Sequence, residues 1–135
     1  MTKYCTDNSC GTVDNKTVLD LEDDAAYVNM GPEWRMPTKD ELNELVGYCT
    51  WVWTTQNGTY GWKVTGPNGN SIFLPAAGYR LDSDLDYAGS YGYYWSSSLN
   101  EGNPYCAWYL YFNSGYHYTS NNGRINGRPV RAVVR

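Results

Sequence analysis

The stretch "TWVWTTQNGTYGWKVT", residues 50–65, constrains this chain most: two runs that alternate with a period of two flank Asn57-Gly58. Both central residues tolerate positive φ, which a two-residue hairpin turn demands, so the stretch predicts an antiparallel pair. A second turn, "GPNGN" at 66–70, leads into "SIFLPAAGYR", where Ile72, Phe73 and Leu74 read as a buried strand stopped by Pro75. Residues 50–74 are thus expected to form a compact β unit.

Before that unit the period is helical. In "DLEDDAAYVNMG", residues 20–31, Asp20 is placed to cap a short helix, acidic residues crowd its positive end, and Gly31 can terminate it. In "MPTKDELNELVGYC" Thr38 and Glu41 form a capping box, and Leu42, Leu45, Val46 and Cys49 recur on one face. After a loop rich in Asp and Gly, the segments 93–98, 107–112 and 128–135 read as strands, with "GYHY" as a further candidate. "LNEGNP" and "TSNNGRING" have the Gly, Asn and Pro of exposed loops. Helices first and a strand-and-loop half second predict an α+β domain.

At 135 residues the chain reads as one domain. Aliphatic residues are sparse and aromatics make up 16%, so the core is expected to be built largely from tryptophan and tyrosine. The net charge of -4 is uneven: residues 1–86 hold 13 acidic and six basic side chains, whereas residues 87–135 hold Glu101 and four arginines. That balance excludes nucleic acid as a partner of the domain body. No segment approaches the roughly 18 apolar residues of a membrane span, and "MTKYCTDNSCG" lacks the apolar core of a signal peptide. Neither direct membrane insertion nor an export signal within this chain is expected. Cys5, Cys10, Cys49 and Cys106 allow three pairings if all are oxidised. The absence of C-x-x-C argues against zinc.

Four blocks in order, "WRMPTKDELNEL", "GNSIFLPAAGYR", "GYYWSSS" and "GRPVRAVVR", resemble the Fibrobacter succinogenes major paralogous domains, a family of gut Bacteroidetes and their phages in the C-type lectin-like superfamily. The resemblance runs from about Tyr4 to the last residue. It implies a C-type lectin-like fold: two helices, small mainly antiparallel sheets, and long loops that present a ligand surface. Some members with this carboxy-terminal arrangement are variable proteins of diversity-generating retroelements, in which adenines of a final gene segment are mutated. Against the fuller family pattern the first strand is expected to be missing before Met1, which would leave "RPVRAVVR" as an open edge unless another segment covers it.

Residues 91–123 hold eight of the chain's 14 tyrosines among many asparagines and serines. This is the composition of antibody binding loops, where tyrosine gives large rigid contact area and small polar residues adapt their hydrogen bonds. Core or cross-strand packing is the competing reading for any single tyrosine. Alternation in "AWYLYF" puts Trp108, Leu110 and Phe112 on a core face and Ala107, Tyr109 and Tyr111 on the other. Tyr109 and Tyr111 are expected to point outward, exposed together with Tyr105, Asn103, Asn113, Tyr116, Tyr118 and the Asn121-Asn122 loop.

Adenine mutation of an asparagine codon never yields Lys, Glu, Gln, Met or Trp, and from Asn103 to Asn126 only Trp108 falls outside the reachable set. The candidate varied, ligand-contacting positions are Asn103, Tyr105, Cys106, Tyr109, Tyr111, Asn113, Tyr116, Tyr118, Ser120, Asn121, Asn122 and Asn126.

Other chemistries lack their signatures. The Glu-Pro-Asn, Gln-Pro-Asp and Trp-Asn-Asp strings of calcium-dependent sugar binders do not occur, and Asp82, Asp84 and Asp86 are the one dense acidic run for calcium, more simply read as solvated loop acids. Formylglycine-generating enzymes share the superfamily but rely on a cysteine pair for copper. His117, the single histidine, has no triad partners and reads as a contact residue. Arg35 and Arg131 are expected to hold the fold together. The expectation is a non-enzymatic module at a cell surface or on a phage virion, without cofactor, that binds a macromolecule, either protein or cell-surface glycan. The alternatives are an invariant polysaccharide-binding adhesin and a structural pilus or virion module.

Overall fold

The computed structural model describes residues 3–9 and 11–135. Over them the chain is α+β: two helices and four small antiparallel sheets. A 3-10 turn at Leu21–Asp23 precedes α1, Ala25–Met30. Asp24, not Asp20, caps α1: its buried Oδ1 accepts the amides of Ala26 at 2.9 Å and Tyr27 at 3.0 Å, and its Oδ2 accepts that of Met36 at 2.9 Å. Asp20 makes no side-chain cap bond because the 3-10 turn lies between it and the helix, and its carboxylate pairs with Lys16 instead. Gly31, at φ 105°, ends α1 as expected.

The β1 strand, Trp34–Arg35, leads into α2, Lys39–Tyr48, whose Thr38/Glu41 capping box is formed. Leu42 is buried there, and Leu45, Val46 and Cys49 pack beside it against the core. The predicted hairpin is β2, Thr50–Gln56, and β3, Thr59–Thr65, with Asn57 at φ 51° and Gly58 at φ 78°. With β4, Ser71–Pro75, it forms a sheet in the order β2-β3-β4. The "IFL" run is not uniformly buried: Leu74 is, whereas Ile72 and Phe73 are half-buried. Phe73 lies on the outer face, and a Cβ built on Gly61 would sit 2.8 Å from its ring, so the phenyl covers the glycine.

The acidic loop after β4 proves to be a hairpin, β5 at Tyr79–Leu81 and β6 at Asp84–Asp86, turning through Asp82 at φ 53°. Next come β7, Gly92–Leu99, β8, Cys106–Phe112, and β9, His117–Gly123, in the sheet order β7-β8-β9. Thr119–Gly123, read from sequence as loop, belongs to β9 because its backbone pairs in continuous register with Cys106–Leu110. The terminal run yields only the two-residue strand β10, Val133–Val134, which pairs with β1. Residues upstream of it serve other strands: the Pro129 carbonyl accepts the Trp95 amide at 3.1 Å, and Gly127 exchanges backbone hydrogen bonds with Arg80.

The core lies between the inner face of β2-β3-β4, α2, and one face of β7-β8-β9, where Phe112 is fully buried. A Cβ on Gly92 would stand 2.0 Å from Cζ of Phe112. Trp51, Trp53 and Trp62 meet edge-on around this ring. The expected core of tryptophan and tyrosine is realised only in part: Trp62 and Tyr94 are buried, but Leu42, Val64, Leu74 and Leu110 fill the rest of the centre with Phe112. A smaller cluster of Tyr4, Leu99 and Ala107 seals the amino-terminal segment to the same sheet. Cys5 is in a disulfide, Cys49 and Cys106 are free thiols, and Cys10 lies outside the described residues.

The serine triplet of β7 has a positioning role. Two extra residues separate Trp95 from Leu99 relative to Tyr109 and Ala107 on β8, so Ser96–Ser98 form a bulge. Ser96 Oγ donates to the Trp108 carbonyl at 2.8 Å, the Ser97 amide to the Pro37 carbonyl at 2.9 Å, and Ser98 Oγ accepts the Lys39 amide at 3.0 Å. The bulge thereby anchors the first turn of α2. Arg35 holds the same region through a two-point pair with Glu41, the second contact measuring 2.9 Å.

Candidate functional site

The two faces of β7-β8-β9 differ in chemistry. Gly92, Tyr94, Leu110 and Phe112 face the core. On the opposite face the register places Tyr93, Tyr111 and Tyr118 directly abreast on three successive strands, with Trp95, Tyr109 and Ser120 as the neighbouring row. Cross-strand neighbours on one face stand close enough for ring contact. Centroid distances are 5.2 Å for Tyr93–Tyr111, 5.1 Å for Tyr111–Tyr118 and 5.8 Å for Tyr116–Tyr118. The network continues from Tyr111 to Tyr91, from Tyr91 to Tyr87, and from Tyr87 to Tyr79. These seven tyrosines form one connected aromatic network, and Tyr109 joins it through Tyr93 at 6.0 Å.

One end of this surface is roofed. Arg128 lays its guanidinium over Tyr109, Trp95 and Tyr93, at 3.8, 4.5 and 5.1 Å from the ring centroids. Its Nε and Nη1 are buried without a hydrogen-bond partner, and burial lowers the guanidinium's pKa. Here a sequence expectation is corrected: Tyr109 does lie on the non-core face, but it is only 7% exposed, because the segment carrying Arg128 crosses it. Trp108, expected in the core, is half-buried beyond the core's end, with Lys39 Nζ 3.9 Å from its ring centroid.

The other candidates divide. Tyr116 and Tyr118 are 52% and 44% exposed, and with half-buried Tyr111 and Ser120 and exposed Asn122 they form the open part of the face. Tyr105 is exposed but stands apart from the ring network, donating its hydroxyl to the Ser9 carbonyl at 2.9 Å. Asn103, also exposed, accepts the Tyr105 amide at 3.1 Å, and Cys106 is half-buried at the start of β8.

Three candidate asparagines are half-buried, with side chains engaged in hydrogen bonds. Asn121 lies on the opposite face and accepts Asn100 Nδ2 at 2.9 Å. Asn113 Oδ1 accepts the amides of Gly115 and Tyr116, while its carbonyl accepts Trp62 Nε1 at 2.9 Å. Asn126 Nδ2 donates to the Gly123 carbonyl at 3.3 Å, and its backbone carbonyl accepts Trp95 Nε1 at 3.2 Å. Asparagine favours such local bonds in turns, which occupies part of each side chain's hydrogen-bonding capacity.

Tyr79, Tyr87, Tyr91, Tyr93, Trp95 and Arg128 were not among the expected site residues. The alternation of Tyr93 and Trp95 within "YYWSSS" could have revealed a shared face, but nothing in the sequence marks Arg128.

The electrostatics of the face are those of neutral phenols. Burial, first, pushes the Tyr93 hydroxyl up to about 12 and also raises Tyr111 and Tyr118, so the face presents neutral phenols that donate and accept hydrogen bonds. His117 lies on the core side, its ring 3.9 Å from that of Trp51 and nearly parallel to it; burial lowers its pKa, and Nδ1 has no partner. Among the described residues the carboxylates close enough to share a cation are Asp20, Glu22 and Asp23, two of which Lys3 already bridges at 2.9 Å. Asp82, Asp84 and Asp86 form no such group. Arg131 is exposed and lines an outer groove beside Lys63 and Phe73.

Residues 4–134 match the family model described as the Lcl C-terminal domain. The span is consistent with the Fibrobacter-type resemblance of the four sequence blocks. No curated protein and no solved structure matches the chain.

Proposed function

The chain belongs to the Lcl C-terminal domain family, and from that premise we propose that it is a non-enzymatic binding module at a cell or virion surface. It holds a macromolecular ligand against the tyrosine face of β7-β8-β9. One observation carries this reading: Tyr93, Tyr111 and Tyr118 stand abreast on the face turned away from the core, and Tyr116 and Tyr118 are half-exposed at its open end. Exposed, mutually braced tyrosines offer large contact area at low entropic cost. A patch of that kind on a monomer's surface marks an interaction site.

The C-type lectin-like architecture and retroelement diversification belong to the same proposal. The positions that can vary without loss of fold narrow to Asn103, Tyr105, Cys106, Tyr111, Tyr116, Tyr118, Ser120 and Asn122, since Tyr109 is roofed and Asn113, Asn121 and Asn126 are half-buried with their side chains hydrogen-bonded. Deep sequencing of this gene across its source population tests the diversified form. Substitutions concentrated at adenines of those eight codons, with Trp108 and "GRPVRAVVR" unchanged, support it. Scattered or absent variation overturns it and leaves a fixed adhesin.

A further inference from the structure

A second concavity adjoins the tyrosine face. It is an open depression of about 420 Å³ between the β2-β3 hairpin, the 87–91 loop and the β8-β9 turn, and no charged side chain lines it. This volume falls within the range of about 300–1,000 Å³ usual for small-molecule clefts. Its walls are aromatic: Trp53 and Tyr60 lie nearly parallel, 8° apart with centroids at 6.1 Å, and Tyr91 stands on the opposite rim. Tyr60 is 53% exposed, so its ring is available for contact. Ser90 and Ser114 add exposed hydroxyls beside these rings.

The cleft is rigidly built. Asn113 closes the β8-β9 turn by accepting two amides, and its carbonyl is fixed by Trp62 from the core. The 87–91 loop is tied down by the Gly89 amide, which donates to the Ala76 carbonyl at 2.6 Å. Trp53 is braced edge-on against Trp62 and Phe112. A preformed site of this kind spends little binding free energy on ordering.

We propose that this cleft is a subsite for a neutral sugar. Aromatic rings with flanking hydroxyls suit a pyranose, whose C–H face packs on a π-surface while its edge hydroxyls exchange hydrogen bonds. A sulfated or carboxylated sugar finds no cation among the lining residues, so its charge would be desolvated without compensation. Tyr91 also touches Tyr111, at 5.9 Å between centroids, so a glycan seated in the cleft extends directly onto the tyrosine face. The assignment names a ligand class for the binding module proposed above and rests on that reading for its context.

The test is titration of the full chain with methyl glycosides of neutral hexoses, their disaccharides and, separately, sulfated and uronic-acid sugars, followed by tryptophan fluorescence and ligand-observed NMR. At least one neutral glycoside is expected to bind saturably with a millimolar Kd. Tyr60→Ala and Tyr91→Ala should each weaken it about fivefold, Tyr60→Phe should retain it, and Tyr48→Ala, at an exposed tyrosine that belongs to neither the cleft nor the tyrosine face, should leave it unchanged. Circular dichroism identifies any variant that fails to fold, and Tyr60→Phe against Tyr60→Trp then serves as the second comparison of ring shape. No saturable response to any neutral sugar, preference for the acidic sugars, or binding indifferent to Tyr60 and Tyr91 overturns the assignment. Loss of a macromolecular ligand through Tyr116 and Tyr118, with neutral glycosides inert, removes the cleft assignment alone and leaves the tyrosine face standing.

Discussion

The Arg128 guanidinium lies 3.8 Å from the centre of the Tyr109 ring, and two of its nitrogens are buried without hydrogen bonds. The cation is held by aromatic faces, and its planar shape is what fits between them. Arg128→Ala should lower stability by about 1–2 kcal/mol, with Arg128→Lys recovering less than half, because an ammonium cannot stack flat. Urea midpoints compared across the three proteins check this; equal stability of the lysine variant would mean that charge alone matters.

Tyr116 and Tyr118 should behave differently from Tyr93. The first two face solvent, so their alanine variants are expected to stay within about 0.5 kcal/mol of the wild type. Tyr93 lies between Tyr111 and the Arg128 roof, and Tyr93→Ala should cost about 2 kcal/mol through lost packing. Thermal melts of the three variants separate a contact surface from a packing face.

Gly92 sits opposite Phe112, where a methyl group would meet the ring at 2.0 Å. Gly92→Ala should therefore destabilise by about 3 kcal/mol through overpacking. The companion Gly92→Ala/Phe112→Leu should regain part of that loss. An unchanged melting temperature for the single variant would contradict the packing described.

Acid sensitivity should have two sources. Glu41, paired with Arg35, is held at about 2 against an ordinary 4.5, so its contribution is complete above pH 4.5 and fades as pH falls toward 2. Its carboxylate is partly solvated, which limits the effect to about 1 kcal/mol. Glu41→Gln should flatten this acid limb.

His117 acts in a higher window. Burial makes it harder to protonate when folded than at its ordinary 6.5, so the unfolded chain binds more protons near pH 6. Stability should fall on acidification through 6.5, and His117→Phe should remove that slope in denaturation curves taken from pH 7.5 to 5. A slope that persists would place its origin elsewhere.

Much of the fold could be read from local chemistry. The Asn57-Gly58 hairpin and the Thr38/Glu41 capping box are each specified by a few adjacent residues, so no tertiary knowledge is needed to find them. The cap of α1 is harder, because four acidic residues within "DLEDD" compete, and only the Met36 amide, twelve residues away, selects Asp24. The candidate face was legible where strand alternation alone decides it, as for Tyr111 and Tyr118. It failed at Tyr109, since the residue that buries it is 19 positions downstream with no local mark. Likewise, Asn113 and Asn126 have the composition of contact residues, but their bonds are visible only once the turns and the indoles of Trp62 and Trp95 are placed.

The tyrosine face as the contact surface is tested most directly by a parallel binding screen of the wild-type chain and the Tyr116→Ala/Tyr118→Ala variant on an array of cell-surface glycans and proteins. The account predicts that the wild type binds a discrete subset and that the double variant, with an unchanged melting temperature, binds it at least about tenfold more weakly. Equal binding by the folded double variant would contradict it.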